Sequence, residues 1–510
     1  MTQQYIMAID QGTTGSTVLI LDVTAKNKPL IVGRSSVEFT QYYPQLGWVE
    51  HDLGEIWQSV MKAAKGAFDM ASSQKGFQPS EIIGIGITNQ RETLCCWDRG
   101  TGNPLMRAMV WQDKRGMRIC DDLKEQEAFI RERTGLVVDP YFSASKMKWI
   151  MDNDSSAAAK LKNGSAVFGT IDTYLLYKLT SGKVFATESS NASRTLIFDS
   201  GDNKYNLDLM ELFGVPGLDC LPEVVDSAGK FGETLGVPGL PDGIPISGIL
   251  GDQQAALAGQ TCFKVGEAKC TYGTGAFMLL NTGSDFRLSD SGLLSTVAWS
   301  LGGKLTYAIE GSSFIAGAAV QFLRDQLKIV ATAQETELLA RDVEASPHLY
   351  FVPALSGLGA PYWDPEVRGA ILGLERGTSK AQIVRATLEG IAFSVADLYN
   401  AMQSDYESKD RAIRVDGGAA ANNVLMQFQA DILGGGVDRP KNLETTAMGA
   451  ALFAGLGIGL YDGVEELSML HERDKLFSSH ETDDDLELRF RRLEGWKRAV
   501  KASRVFSGLG

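Results

Sequence analysis

The sequence predicts an α/β fold divided into two domains. Its 510 residues exceed the roughly 250–300 residues at which a single hydrophobic core stops growing. Hydrophobic residues make up 44% and charged residues 22% of the chain, which is typical of a soluble globular protein rather than a disordered or membrane one. Strand-like apolar runs alternate with amphipathic segments of helical period, and that alternation indicates an α/β protein.

Strand–turn–strand patterns occur near the start of each half. Residues 5–22 contain an apolar run at 6–9, a polar turn at 10–15 and a second apolar run at 18–21, which predicts a β-hairpin. The pattern returns at residues 268–281 around the turn Gly273-Thr274-Gly275. We interpret this as one unit used at the start of both halves. Coincidence is the alternative, because the chain holds 55 glycines.

The remaining elements follow from hydrophobic period and turn residues. Strands are expected at 81–88 and 93–97, and amphipathic helices at 55–70, 381–402 and 483–503. The last helix carries apolar residues three to four apart, at Leu486, Phe490, Leu493, Trp496 and Val500. Residues 241–245 form a turn-rich boundary, and the strand-like run 246–250 is expected to begin the second half. We divide the chain into domains at 1–251 and 252–510.

Composition excludes several classes of function. The net charge of −14 disfavours nucleic-acid binding, which needs basic side chains to neutralise phosphates. Only four histidines are present, none in a metal-binding frame, so zinc catalysis is not expected. The six cysteines are expected to be buried thiols in a reducing compartment. Neither the first residues nor the apolar stretch 445–461 fits a secretion signal or a membrane helix. The expected location is the cytoplasm.

Three glycine-containing turns are the strongest chemical signal. The sequence lacks a P-loop and a G-x-G-x-x-G motif. In the turn 10–15, small residues expose backbone N–H groups to an anion, Thr13 and Thr14 add hydroxyl donors, and Asp10 can hold hydrated Mg²⁺. The turn 272–275 repeats this chemistry. Residues 414–419 end a strand in Asp-Gly-Gly before a helix carrying Asn422, where a ligand can lie against the backbone.

The order of these turns resembles the actin-like ATPase superfamily, and two further blocks are similar to signatures of the FGGY carbohydrate kinases. Those blocks are residues 141–153 and residues 369–374 with 382–389. The resemblance extends from about residue 5 to residue 500. It implies two actin-like (ribonuclease H-like) domains with an ATP and substrate cleft between them, and it implies ATP and Mg²⁺ as cofactors.

Further blocks resemble the members of this family that act on glycerol. They are residues 47–52, 89–93, 139–141, 251–254 and 359–365. In Arg91-Glu92, a donor fork stands beside an acceptor carboxylate, a pair that can bind vicinal hydroxyls reciprocally. A surface ion pair would be the interpretation if the motif stood alone. The resemblance implies ATP-dependent phosphorylation of glycerol to sn-glycerol 3-phosphate.

The resemblance also implies roles for individual residues. Asp252 is the expected catalytic base and binds substrate with Arg91, Glu92, Trp111, Tyr141, Gln253 and Phe277. The expected nucleotide-binding residues are Thr13, Thr14, Gly15, Thr274, Gly317, Gln321, Gly418 and Asn422, and Asp10 would hold Mg²⁺ through water. The expected partners are glycerol, ATP and further copies of the chain in a homo-oligomer, with no nucleic acid and no membrane insertion.

One position departs from the family, since Thr17 stands where an arginine is usual. A cation expected near the γ-phosphate is therefore missing. The loop 239–243 also lacks the Gly-Thr-Arg sequence associated with a phosphosugar effector, so control of that kind is not expected. Two alternative functions stay open: a kinase of the same fold for another polyol or sugar, and an actin-like ATP-binding module without a metabolic substrate.

Overall fold

A computed structural model describes residues 3–344, 346–406 and 412–508. Two large mixed sheets form the centres of the two halves, one of six strands and one of seven. Each sheet has its own hydrophobic core of buried side chains. The architecture is α/β, as predicted from the alternation of strand-like and helix-like segments.

The first half contains strands β1 to β14 and helices α1 to α8. The strands are β1 Tyr5–Gln11, β2 Gly15–Asp22, β3 Leu30–Glu38, β4 Glu50–His51, β5 Ile82–Asn89, β6 Cys95–Asp98, β7 Ala108–Met109, β8 Ala166–Gly169, β9 Ala186–Glu188, β10 Phe198–Asp199, β11 Lys204–Tyr205, β12 Glu223–Val225, β13 Ala228–Glu233 and β14 Pro245–Gly251. The helices are α1 Leu53–Lys75, α2 Met117–Asp122, α3 Glu127–Thr134, α4 Ser143–Asn153, α5 Ser155–Lys162, α6 Ile171–Leu179, α7 Ser189–Ala192 and α8 Leu207–Leu212.

The second half contains strands β15 to β23 and helices α9 to α16. The strands are β15 Ala268–Tyr272, β16 Ala276–Gly283, β17 Leu294–Leu301, β18 Lys304–Ser313, β19 Tyr350–Val352, β20 Ala370–Leu372, β21 Ala412–Asp416, β22 Gly436–Pro440 and β23 Arg473–Ser478. The helices are α9 Asp252–Gly259, α10 Gly317–Asp325, α11 Ala333–Arg341, α12 Lys380–Asp405, α13 Asn423–Leu433, α14 Thr445–Gly457, α15 Val464–Ser468 and α16 Asp483–Phe506.

The two large sheets share one topology. The first has the order β3-β2-β1-β5-β14-β13, in which β1 pairs antiparallel to β2 and parallel to β5. The second sheet repeats this order of pairings, with two antiparallel, two parallel and one antiparallel pair along β18-β16-β15-β21-β22-β23. One more strand, β17, lies at its edge. The recurrence of the hairpin in the sequence therefore reflects a repeated sheet rather than coincidence.

The expected helices form with slightly wider bounds than predicted, and side-chain caps fix where they begin. The Asp52 side chain accepts hydrogen bonds from the Gly54 and Glu55 amides at the start of α1. Gly76, with φ 68°, ends the helix. A capping box at Ser379 begins α12, and another at Thr482 begins α16.

One sequence-based expectation is wrong. The strand expected to begin the second half is β14, which belongs to the first sheet, where it pairs with β5 and β13. The predicted apolar face of α16 is only half covered. Trp496 and Val500 are buried, whereas Phe490 is 65% exposed and Leu486 is 46% exposed. Apolar spacing alone therefore did not indicate how far the packing extends along α16.

Helices α9 and α14 connect the two halves. Alanines of α14 pack on Ile6, Ala8 and Leu19 of the first sheet. Gly259 and Gly449 let α9 and α14 approach closely, since a Cβ at either position would lie 1.8 Å from a backbone oxygen of the other helix. The apolar stretch 445–461 thus contains a buried helix. Within the described ranges, no helix is both long and apolar enough to cross a bilayer.

Candidate active site

The turn between β1 and β2 forms one wall of the candidate site. The Gly12 amide donates to the Gly15 carbonyl at 2.9 Å and closes the turn, which leaves Thr13 and Thr14 at its tip. The Thr13 hydroxyl accepts a hydrogen bond from Trp111 Nε1 at 2.9 Å. This predicted phosphate-binding turn therefore touches an aromatic side chain predicted to cover the substrate. Asp10 lies directly opposite Thr17 in the hairpin register.

The turn between β15 and β16 meets the other predicted nucleotide-binding segments. Amides of Ala316 and Ala318 donate to the Thr274 carbonyl, and the Gly317 amide donates to the Gly273 carbonyl at 2.9 Å. A Cβ on Gly317 would lie 2.6 Å from that carbonyl oxygen, so helix α10 can begin here only with glycine. Gln321 lies one turn further along α10.

The Gly417–Gly418 junction adjoins the same turn. Gly417 adopts φ 85°, and a Cβ there would lie 2.5 Å from the Tyr272 carbonyl oxygen. A Cβ on Gly418 would meet no described protein atom within 4 Å, so the backbone at Gly418 borders open space. Asn422 caps α13 by accepting the Leu425 amide at 3.0 Å. These contacts bring all the predicted nucleoside-binding segments to one edge of the second sheet.

Arg91 and Glu92 follow strand β5 in a strained turn. Glu92 has φ 58°, which is uncommon for a residue other than glycine, and the Thr93 amide donates to the Arg91 carbonyl at 2.7 Å. Such conformations persist where the surroundings fix them, and they cluster at functional sites. Arg91 is 2% exposed and Glu92 is 1% exposed. They are not a surface ion pair.

Two residues that sequence reasoning missed complete the surroundings of this pair. Glu310, on β18, accepts hydrogen bonds from Arg91 Nη1 at 2.5 Å and Nη2 at 3.0 Å. Arg194 donates through Nε to Glu92 at 2.6 Å and through Nη2 to Glu310 at 3.0 Å. Both Nη atoms of Arg91 therefore already bind a carboxylate of the chain itself.

Asp252 begins helix α9 beside this cluster. Its Oδ1 lies 3.2 Å from Arg91 Nε and accepts the Gln253 amide at 2.7 Å. Its side chain is 27% exposed, whereas the side chains of Glu92 and Glu310 are 2% and 1% exposed. Among these three carboxylates, Asp252 is by far the most exposed.

Lys269 is a second functional candidate that sequence reasoning missed. It lies in strand β15 and is fully buried, and its Nζ donates to Gln253 Oε1 at 2.6 Å and to Thr271 Oγ1 at 2.9 Å. A lysine in the middle of a predicted strand was the signal available in the sequence.

Aromatic side chains border the same region. The rings of Trp111 and Tyr141 meet edge to face with centroids 5.5 Å apart, and both are partly exposed. Phe277 is two residues from Leu279, which pairs with Glu310 across β16 and β18. Because strand side chains alternate between faces, Phe277 and Glu310 lie on the same face of the second sheet.

The charges of the site perturb its ionisable groups. Burial, reinforced by the negative charges of Asp252 and Glu444, raises the pKa of Asp10 to about 8. Burial also raises the pKa of Asp252, against the opposing charges of Arg91 and Lys269. For Glu310, burial is outweighed by Arg194 and Arg91, which lower its pKa to about 2. Glu310 is therefore a stable anion that holds the two arginines. Asp252 is the carboxylate beside them whose pKa is raised by its surroundings.

Family models match most of the chain. Residues 5–259 match the N-terminal domain of the FGGY family of carbohydrate kinases, and residues 268–458 match its C-terminal domain. The chain belongs to the FGGY family. The family recognised from the sequence motifs is therefore confirmed.

Full-length relatives of this FGGY kinase include glycerol kinases. It is 51% identical over 506 residues to the glycerol kinase of Myxococcus xanthus, with 98% of this chain and 99% of the relative covered. It is 49% identical over 506 residues to that of Carboxydothermus hydrogenoformans, with 99% of each covered.

A solved glycerol kinase has the same fold. The Plasmodium falciparum enzyme with ADP superposes with a TM-score of 0.89 at 34% identity over 98% of both chains. The predicted fold, two actin-like domains of an α/β kinase, is confirmed.

Proposed function

We propose that this FGGY kinase transfers the γ-phosphoryl group of ATP to a primary hydroxyl of glycerol, giving sn-glycerol 3-phosphate and ADP. The observation that carries the proposal is the meeting of Arg91, Glu92 and Asp252 beside the aromatic pair Trp111 and Tyr141. The prediction of a glycerol-phosphorylating enzyme is confirmed by its full-length similarity to curated glycerol kinases.

The proposed glycerol site uses polar groups for the hydroxyls and aromatic rings for the carbon chain. Glycerol hydroxyls are each donor and acceptor, so they suit the guanidinium of Arg91 and the carboxylates of Glu92 and Asp252. The amide of Gln253 and the phenol of Tyr141 add contacts. Trp111 and Phe277 cover the apolar edge of the substrate, one from each half of the chain.

Asp252 is the proposed base. Phosphoryl transfer passes through a loose transition state, so the residues of the site act mainly by alignment and charge stabilisation. As the glycerol oxygen forms its bond to phosphorus and the bond to the ADP oxygen breaks, Asp252 accepts the hydroxyl proton. Its accessible carboxylate and its raised pKa suit this role.

The two hairpin turns are the proposed phosphate-binding groups. Thr13, Thr14 and Thr274 offer hydroxyl donors, and Gly15 permits close backbone approach. Gly317, Gln321, Gly418 and Asn422 are proposed to line the nucleoside site. The open space at Gly418 and the packed junction at Gly317 fit a ligand lying along this edge of the sheet. Closure of the two halves would exclude water, which otherwise competes as the phosphoryl acceptor.

The acidic end of β1 fits a divalent cation. Asp10 and Asp252 place two carboxylates close enough for their charges to raise the pKa of Asp10. Mg²⁺ keeps several waters and takes phosphate oxygens as ligands, so one or two carboxylates of the protein suffice to hold it. We propose that Asp10 holds Mg²⁺ through water. Bound Mg²⁺ would neutralise charge on the phosphates.

Lys269 is the proposed local cation for phosphoryl transfer. Thr17 supplies a hydroxyl, bonded to Ser36 at 2.8 Å, rather than a charge. Lys269 has no carboxylate within 4.0 Å in the described part of the chain, and it contacts Gln253 beside Asp252. A buried ammonium without an ion-pair partner is a favourable neighbour for the transferring phosphoryl group.

Location and assembly stay predictions. All six cysteines are free and buried, as expected of a protein in the reducing cytoplasm.

A homo-oligomer is proposed from the family resemblance, and light scattering after size-exclusion chromatography measures the number of subunits. The division into domains at residues 251 and 252 is likewise a proposal. Two folding units separated by limited proteolysis near that point would support it.

A coupled assay of ADP release tests the proposed function. Glycerol, erythritol, xylulose and no acceptor are compared at equal ATP concentration, and we expect glycerol to give the highest kcat/KM. Preference for another acceptor would assign the chain to the alternative kinase function. Equal ADP release with and without glycerol would instead support an ATPase without a metabolic substrate.

A further inference from the structure

Four buried charged residues form one ion cluster at the proposed glycerol site. Glu310 binds both arginines, Arg91 by two hydrogen bonds and Arg194 by one, and Arg194 also binds Glu92. All four are between 0% and 2% exposed. Two positive and two negative charges cancel within the cluster, so none of these four charges is buried without a partner.

The cluster joins the two halves of the chain. Arg91 and Glu92 follow β5 of the first sheet, and Arg194 follows α7 in the same half. Glu310 lies on β18 of the second sheet and is 219 residues away from Arg91 in sequence. The groups proposed to bind glycerol are therefore held in place by a carboxylate from the opposite half.

We propose that Glu310 and Arg194 are positioning residues for polyol recognition. Glu310 orients the guanidinium of Arg91 through both Nη atoms, which leaves Nε towards Asp252. Arg194 orients the carboxylate of Glu92 and lies beside an aromatic residue of the site, 5.7 Å from the Tyr141 ring centroid. The inference rests on the proposed function, in which Arg91 and Glu92 bind the substrate.

Stability alone is a poor reason for such a cluster. Buried ion pairs can often be replaced by apolar residues without loss of stability, whereas a planar guanidinium held at two points gives a fixed donor direction. Glycerol is small, so its affinity depends on a few well-directed hydrogen bonds. Loss of the orienting carboxylate should therefore affect glycerol binding more than nucleotide binding.

Steady-state kinetics of Glu310→Gln and Arg194→Lys test the proposal. Glutamine keeps the shape of Glu310 and removes its charge, and lysine cannot bridge two carboxylates as Arg194 does. We expect the glycerol KM to rise about tenfold or more in both variants, while the ATP KM stays within about twofold. Arg194→Lys retains a charge and keeps the test valid if Glu310→Gln folds poorly.

Glu389→Gln is the matched control. Glu389 is also a buried carboxylate between two arginines, Arg385 and Arg492, but it joins α12 to α16. Its loss should lower the unfolding temperature and leave the glycerol KM unchanged. If Glu310→Gln shifted only the unfolding temperature in the same way, the positioning role would be refuted.

A double-mutant cycle separates positioning from a general effect on the site. In the Arg91→Ala background, Glu310→Gln should add little to the glycerol KM, because the side chain that it orients is gone. Additive effects would overturn the proposal. If the wild-type protein prefers another acceptor, the proposed function fails, and the same ratios measured with that acceptor still decide the inference.

Discussion

Asp252→Asn should suppress catalysis while leaving the site assembled. In the wild-type protein, Asp252 Oδ1 lies 2.7 Å from the Gln253 amide nitrogen and 3.2 Å from Arg91 Nε. Asparagine retains an oxygen that can accept the hydrogen bond from the Gln253 amide and face Arg91. The substitution removes the proton acceptor and one negative charge. The remaining cluster of Arg91, Glu92, Arg194 and Glu310 is neutral, so no uncompensated buried charge results and the fold should be retained.

The expected effect falls on kcat. General-base catalysis contributes about 10²–10⁴-fold, which corresponds to roughly 3–5.5 kcal/mol in activation free energy. We expect kcat for Asp252→Asn to fall within that range, and the glycerol KM to change by no more than about threefold. The assay is ADP release under glycerol saturation, with the unfolding temperature measured in parallel.

Asp154→Asn controls for the loss of an aspartate at a helix start. Asp154 caps α5 by accepting the Ala157 amide at 2.9 Å, and asparagine caps helices about as well as aspartate. This variant should keep wild-type kinetics. A kcat for Asp252→Asn near the wild-type value would refute the base assignment and leave Asp252 as a residue that begins α9.

Four further substitutions test the nucleotide side of the site. Thr17→Arg should give equal or tighter ATP binding by calorimetry, because the new cation faces Asp10 across the hairpin; a large loss would mean that another cation already fills that space. Lys269→Met should lower kcat about tenfold or more with little change in glycerol KM, and unchanged kcat would exclude a role in phosphoryl transfer. Gly418→Ala should weaken ATP binding without lowering the unfolding temperature, since no described atom lies within 4 Å of the added Cβ. Gly417→Ala should weaken ATP binding and also lower the unfolding temperature.

The local elements of the fold could be predicted from the sequence because each has a local cause. The hairpin β1–β2 was recognised by its apolar runs and the glycine-containing turn 10–15. The helices α1 and α12 were recognised by their apolar period. The assignment of β14 to the second half was wrong because no feature within residues 246–250 indicates which sheet the strand joins.

The candidate site was predictable only where its residues occur in motifs. Arg91, Glu92 and Asp252 stand in recognisable blocks. Glu310 lies in an ordinary strand sequence, and it reaches Arg91 only through the pairing of β16 with β18 and the contact between the two halves. Arg194 likewise enters the site through tertiary packing. Partners so far apart in sequence require the folded chain for their detection.

Phosphorus NMR of the reaction products tests the central claim most directly. Incubation of the wild-type protein with ATP, Mg²⁺ and glycerol should yield glycerol 3-phosphate and ADP in equal amounts, with no accumulation of inorganic phosphate. The same mixture with Asp252→Asn should show almost no product over that time. Formation of inorganic phosphate in place of glycerol 3-phosphate would contradict the proposal that this site transfers the phosphoryl group to glycerol.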